Sequence, residues 1–315
     1  MLILQSSKRK TLKSGSNSDK ICKPGCSCKE GYVRETVSGK CVLLSNCDCH
    51  HGNQMYKSGQ TIKENCNTCV CRDGGWKCTT KVCSGICTAW GDSHYKSFDG
   101  KMFEFFGSCD YVLAQGQLSY VDNFRITIQN VLCGSNGITC AKSLTLQVGP
   151  DNSKEVVIFA KHKPVSYGNK TRTIIREAGV FIFAEVPDMG IVLQWDRGTR
   201  AYIILDPMWK NKVSGICGNY NDDLRDDFKS PSGLKETSSR IFGDSWRLRS
   251  TCYLSKTVDD PCKVHDHRVS WAKEKCGILK SKVFETCHSE VPYQPYYERF
   301  VSHKVNPQLQ YINII

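Results

Sequence analysis

Between residues 102 and 205 the chain repeats one pattern: short runs rich in Val, Ile, Phe and Tyr, separated by turn-formers. The runs fall at 102–106, 111–114, 124–129, 144–148, 156–160, 173–176, 180–184, 191–195 and 202–205. Gly149, Pro150 and Asp151, Gly168 and Asn169, Pro187 to Gly190, and Arg197 and Gly198 punctuate them. Short, evenly spaced strands with turn signals predict an antiparallel β-sandwich. FRITIQ at 124–129 alternates apolar and polar, as a half-buried strand should. After Cys252 the period changes: residues 264–279 carry apolar side chains at roughly helical spacing, which predicts a small helical segment. The longest apolar runs, near 180–186 and 201–205, are far too short to cross a bilayer, so no membrane span is expected. The expected class is mainly β, with small disulfide-rich modules before the sandwich and a short helical, cysteine-rich segment after it.

Cysteine content turns this pattern into a domain plan. The 315 residues include 20 cysteines, a share that suits an oxidising, extracellular compartment. Eleven lie between residues 22 and 83, six between 84 and 252, and three beyond. The first stretch has no apolar run long enough for a core and must be stapled. By spacing, Cys22, Cys26, Cys28, Cys41, Cys47 and Cys49 form one knot, and Cys66, Cys69, Cys71, Cys78 and Cys83 a second. Eleven is odd, so one partner is expected outside the stretch, most simply beyond a start that is cut short. Charge adds less. Lys plus Arg outnumber Asp plus Glu by 43 to 31, a net +12, and half of the excess lies in residues 1–40. Residues 1–21, with Lys8, Arg9 and Lys10, are expected to be a solvated, disordered basic tail. No nucleic-acid motif accompanies the charge, and residues 1–4 are no secretion leader.

Four motifs carry a resemblance. WGDSHYKSFDG at 90–100, GSCDYVL at 107–113, GICGNYN at 215–221 and FGDSW at 242–246 occur in the order found in von Willebrand factor type D domains. The segment 85–253 resembles such a domain. Residues 22–48 resemble part of a trypsin-inhibitor-like module, 49–84 a von Willebrand C-like module, and 254–315 part of the eight-cysteine module that follows. Within the family, the opening string resembles hemolymph-clotting proteins of the hemocytin type. The resemblance implies bridges Cys87–Cys217, Cys109–Cys252 and Cys133–Cys140. A further family bridge would use the positions of Leu118 and Ser214; both halves are absent together, and no local dithiol is left for exchange. Phe300 stands where the next cysteine of the last module belongs, so the chain is expected to be a fragment of a longer protein or a partial gene product.

Residues 219–227, NYNDDLRDD, place six Asn/Asp side chains in nine positions. Calcium takes six to eight oxygen ligands, and a loop of this kind can wrap one ion. Such residues also favour plain solvated turns. The resemblance implies calcium ligation by the side chains of Asn219, Asn221, Asp226 and Asp227, by the Asp223 main-chain carbonyl, and by Asp99. A glycine usual in the family is Asp222 here, so a strained turn is expected.

Other motifs read as scaffold. Cys66 and Cys69 spell CxxC, but in a disulfide knot without βαβ context they are expected to be structural. Ser93 and His94 are sequence neighbours with nothing to suggest an orienting acid. Residues 23–25 are too short for a protease-inhibiting loop. Asn169, followed by Lys170 and Thr171, is the one Asn-x-Ser/Thr acceptor for glycosylation. The expected function is therefore non-enzymatic: a structural, adhesive module of a large secreted, calcium-stabilised, disulfide-linked glycoprotein, partnered by other extracellular glycoproteins or copies of itself. The alternative is an extracellular modulator of growth factors of the bone morphogenetic protein class, but those proteins place the inhibitor-like module after the D domain. GDSH at 91–94 differs from the GDPH at which some D domains cleave themselves at a labile Asp–Pro bond. Mild acid should leave the chain whole on a reducing gel; two fragments split at Asp92 would contradict this.

Overall fold

The computed structural model describes residues 28–305 apart from 35–38, 52–53, 65, 92, 134–136, 161–163, 169–170, 199, 258–259, 289–290 and 292. The basic tail, Cys22, Cys26 and Asn169 thus lie outside the described residues. The chain divides into two compact units, residues 1–81 with 278–295 and residues 82–277 with 296–315. No helix among the described residues is long and apolar enough to cross a membrane.

The first unit is small hairpins held by sulfur. Strands β1 (Tyr32–Arg34) and β2 (Cys41–Leu43) pair, as do β3 (Cys49–His51) and β4 (Gln54–Tyr56). Strands β5 (Thr61–Glu64), β6 (Asn67–Arg72) and β7 (Gly75–Cys78) form a three-stranded sheet. Cys28 bonds to Cys41, Cys49 to Cys71 and Cys69 to Cys78. Spacing alone put Cys49 in the first knot. Its bond to Cys71 puts it in the second, where both half-cystines are fully buried. Spacing could not decide this, because a disulfide needs only close Cα atoms, whatever their separation along the chain.

The second unit is the sandwich. Strands β8 (Gly85–Trp90), β9 (His94–Lys96), β10 (Met102–Glu104), β16 (Ile174–Ala178), β17 (Phe181–Val186), β18 (Ile191–Trp195) and β19 (Ala201–Leu205) make one antiparallel sheet in the order β10-β9-β8-β19-β18-β17-β16. The other is ordered β15-β14-β13-β12-β11-β20 and contains β11 (Asp110–Gln117), β12 (Asn123–Leu132), β13 (Thr139–Val148), β14 (Glu155–Phe159), β15 (Val165–Tyr167) and β20 (Val213–Ser214). Alternation decides the inner faces. Phe124, Ile126 and Ile128 of β12, Ile191, Leu193 and Trp195 of β18, and Ala201, Ile203 and Leu205 of β19 are buried in one shared core. Asn130 follows the same alternation inward, and its amide donates to the buried Tyr95 hydroxyl at 2.9 Å; the register shift beside it bulges β13 at Lys142.

Helix α1 (Ser239–Ser245) begins at Ser238, whose hydroxyl accepts from the Arg240 N–H. Its Phe242 stacks on Phe228 within the core. The late helical reading resolves into α2 (Pro261–Val264), α3 (Val269–Cys276), α4 (Glu285–His288) and α5 (Gln294–Val305). Within the second unit Tyr297 of α5 donates to the Lys273 carbonyl of α3, and Val301, Val305, Ala272 and Cys276 are buried.

Three bridges tie the sandwich: Cys87–Cys217, Cys109–Cys252 and Cys133–Cys140. They close loops of very different length, with sequence separations of 130 and 7 for the first and last. In the chain-entropy treatment the long loop is worth about 5 kcal/mol and the short one about 2 kcal/mol. Urea unfolding should therefore show Cys87→Ala/Cys217→Ala destabilised more than Cys133→Ala/Cys140→Ala. Equal losses would contradict the loop-length account.

Candidate metal centre

The loop at 219–227 is anchored before it begins. Ile216 and Cys217 donate to the carbonyls of Val112 and Leu113 at 3.0 and 2.8 Å, which draws the chain onto β11. Gly215, at φ +141°, has to be bare: a Cβ there would lie 2.3 Å from the Leu113 carbonyl oxygen. Cys217 is bonded to Cys87 of β8, and its carbonyl accepts from the Phe98 N–H at 2.9 Å. The hairpin after β9 and the acidic loop therefore meet at one cystine.

The acidic side chains divide into two groups. Asp222 and Asp223 face outward against cations: Asp222 pairs with Lys210, and Asp223 takes a two-pronged contact from Arg225 at 2.8 and 2.9 Å. Hydrogen bonds from the Arg225 side chain and backbone hold the Asp223 carboxyl well below its ordinary value, at about 2. With its side chain so engaged, Asp223 has its main-chain carbonyl to offer, and that oxygen already accepts from the Asp226 N–H at 3.2 Å, which leaves one lone pair. Asp222 sits at φ +66°, the left-handed backbone a glycine would take without strain, and Asp tolerates it better than most residues.

Asp99, Asp226 and Asp227 are held mainly by amide and hydroxyl groups. Asp99 accepts from the backbone N–H of Asn221 at 3.1 Å and of Asp222 at 2.6 Å, so the opening hairpin grips the loop across 122 positions of sequence. Asp226 accepts from the Asn221 amide through both oxygens, at 3.2 and 3.1 Å. Asp227 is 1% exposed, and the Ser97 hydroxyl donates to its Oδ2 at 2.7 Å. Its other oxygen rests on bare backbone, since a Cβ on Gly218 would stand 2.1 Å from it. Burial, with the Asp99 carboxylate beside it, pushes the Asp227 carboxyl up to about 7.

Two buried oxygens here, Asn219 Oδ1 and Asp227 Oδ1, have no hydrogen-bond partner among the described residues. Buried polar atoms are seldom left so unless a water or an ion serves them. Every donor in the set is oxygen, which suits a hard divalent cation of the calcium type and no soft metal. The residues present fit such an ion. The loop also borders a cleft of about 480 Å³ that Asn219, Asn221, Asp226, Asp227 and Trp246 help to line. Sequence reasoning missed Ser97, Gly218 and Lys210. The first two stand in the SFDG and ICGN strings, but the acid both of them seat is Asp227, 130 positions from Ser97, so only the fold shows their role.

The remaining candidates are structural. Ser93 Oγ is buried against Thr139, 2.7 Å from its carbonyl, and does not address His94. His94 Nδ1 is instead 3.3 Å from Glu104, which this contact keeps below the usual carboxylate range. Among the described residues, one group of three or more His, Cys, Asp or Glu donors lies within 4.8 Å of one another, namely Glu64, Cys69 and Cys78; the carboxylates of Asp99, Asp226 and Asp227 are not drawn that close together. The two sulfurs of that group are bonded to each other, so it is no metal centre. Thr171, the third residue of the glycosylation tripeptide, donates its hydroxyl to buried Glu155 at 3.0 Å. Leu118 packs on the core, and Ser214 pairs with Gln115 in β20.

Comparison with known proteins gives three family matches. A von Willebrand factor type D domain matches residues 87–234, a von Willebrand factor-like domain 54–81, and a trypsin-inhibitor-like cysteine-rich domain 6–47. The chain is 46% identical to hemocytin of Bombyx mori over 281 residues, which is 88% of this chain and 9% of that protein. It is 39% identical to human mucin-2 over 286 residues, 89% of this chain and 5% of that protein. Identity to SCO-spondin of Gallus gallus is 37% over 283 residues, 87% of this chain and 5% of that protein. The chain thus spans less than a tenth of the length of each of these relatives.

The raised Asp227 carboxyl fixes a pH dependence for metal-free protein. Its folded form holds a proton that the unfolded chain, at the ordinary Asp value, gives up, so stability falls as pH rises from about 4 to about 7. Asp227→Asn should flatten that slope in EDTA and leave the variant as stable as, or roughly 1–3 kcal/mol more stable than, wild type at pH 7.5. A slope unchanged by the substitution, read by urea unfolding across that range, would contradict the assignment.

Proposed function

Because the chain carries a von Willebrand factor type D domain behind trypsin-inhibitor-like and von Willebrand factor-like modules, we propose that it serves as a non-enzymatic, calcium-stiffened structural and adhesive unit of a much longer extracellular glycoprotein. Its setting is secreted and extracellular, in keeping with relatives such as hemocytin and the mucins and with its many cystines. The observation that carries the calcium reading is the pair of buried oxygens without a partner among the described residues, Asn219 Oδ1 and Asp227 Oδ1, beside the Cys87–Cys217 bridge.

When bound, calcium would supply positive charge to three inward carboxylates that have no ion-pair partner among the described residues. Asp99, Asn219, Asn221, Asp226 and Asp227 would hold it by side chain and Asp223 by its carbonyl. The protein's own part is positioning. Ser97 and Gly218 seat Asp227, while Lys210 and Arg225 draw Asp222 and Asp223 outward. The cystine keeps the loop on β8. The product of this arrangement is rigidity: one loop, the opening hairpin and two sheets become a single mechanical unit. Ser93, committed to Thr139, is unavailable as a nucleophile, which supports the non-enzymatic reading. The module order, inhibitor-like before von Willebrand-like before D, supports a structural unit over a growth-factor modulator.

Calorimetric melting in calcium and in EDTA tests the proposal. Saturating calcium should raise the Tm by roughly 5–10 °C, the effect of an ion present at about a hundred times its Kd on a domain of this size. A melt that does not shift would overturn it.

A further inference from the structure

The outer face of the six-stranded sheet is apolar at β14 and β15, with Val156, Ile158 and Val165, and polar toward β20. Its pairing register places Ser214, Gln115, Arg125 and Gln147 directly opposite one another across β20, β11, β12 and β13. Neighbouring strands lie about 4.8 Å apart, so these four side chains form a row about 14 Å long. Turns beyond one end of these strands wall the cleft. Tyr120 and Asn123 stand on one side, Asp151 and Lys154 on another, and Lys212 rises from the segment before β20. Together they enclose a cleft of about 590 Å³. Gly116 lies beside Gln115 on β11 but faces inward, where a Cβ would meet Trp209 and Phe124 of the core at 2.9 and 3.0 Å.

We infer that this cleft binds an anionic carbohydrate, a short oligosaccharide bearing sulfate or carboxylate groups. Its volume falls in the usual range for small-molecule sites. Apolar ligands are disfavoured, since the lining is chiefly amide, hydroxyl and cation. Sugars need many neutral hydrogen-bonding partners, and Gln115, Gln117, Asn123, Gln147 and Ser214 supply them. The side chains of Gln147, Ser214 and Lys212 have no partner among the described residues. Arg125 uses Nε to reach Gln115 at 3.0 Å, which leaves the outer edge of its guanidinium for a planar or tetrahedral anion. Lys154 and Asp151 pair at 3.2 Å and cancel, so Arg125 and Lys212 set the net positive charge. Tyr120 is 68% exposed and offers a ring face at the rim. The cleft shares Gln115 and Ser214 with the cleft beside the acidic loop, but none of residues 219–227 lines it.

A net charge of +12 guarantees some diffuse attraction for any polyanion, so the test must separate site from background. Isothermal titration of the full chain with a sulfated heparin-derived octasaccharide, in physiological salt, should give saturable binding. Arg125→Ala/Lys212→Ala should weaken it by roughly ten-fold or more. Lys256→Ala/Lys263→Ala, an equal loss of charge at exposed positions of the same unit outside the cleft lining, should change it by less than about two-fold. Desulfated octasaccharide should bind more weakly than the sulfated form. Four results would overturn the inference: no saturation below about 1 mM, equal losses in the two double variants, indifference to sulfation, or a single-stranded oligonucleotide binding as well and losing as much in Arg125→Ala/Lys212→Ala.

Discussion

Asp226 and Asp227 of the acidic loop and Asp99 of the opening hairpin have no ion-pair partner within 4 Å among the described residues, and the opening of the sandwich is organised around them. Asp99 grips the backbone of Asn221 and Asp222, and Ser97 holds Asp227, so residues 97–99 and 219–227 are fixed against each other. The Cys87–Cys217 bridge then ties that junction to a central strand of the seven-stranded sheet. Buried like charge is expensive unless paired, and the raised Asp227 carboxyl expresses that cost in the metal-free protein. A divalent ion converts the same cluster from a strain on the fold into a clamp. Stability and the proposed mechanical role thereby draw on one site.

The distribution of sulfur follows the same economy. Where chain segments are short and apolar residues scarce, as in residues 28–81, cystines substitute for a core, and Cys49, Cys69 and Cys71 are themselves the most buried side chains. In the sandwich the core is large and aromatic, with Trp195, Trp209, Tyr95 and Phe105 fully enclosed. Bridges there lock long loops rather than replace packing.

Most of the sandwich was legible in the sequence because its strands have one buried face. The run at 191–195 is a strand with those bounds, and 124–129 and 144–148 lie inside longer strands. The strands that were not legible lack that contrast. β8 and β9 mix Gly, Cys, Thr, His and Lys, and β20 is two residues long, so each is set by its neighbours rather than by its own pattern. Helix α1 was missed because Gly243, Asp244 and Ser245 are weak helix formers; it is held by its Ser238 cap and by Phe242 in the core. Among the site residues, the loop's acids were legible from composition and resemblance. Their sorting into outward Asp222 and Asp223 and inward Asp226 and Asp227 was not, since it depends on Lys210 and Arg225 reaching them in space. The polar cleft on the second sheet was equally hidden: its row of Ser214, Gln115, Arg125 and Gln147 exists only once four strands are in register.

The most direct measurement of the central claim is calcium titration of metal-free protein by calorimetry at pH 7.5, with Asp227→Asn beside the wild type. The account predicts one ion bound per chain through the loop and its loss in the variant, with the variant still folded. Wild-type protein that takes up no calcium, or a variant that binds it as well as the parent, would contradict the account.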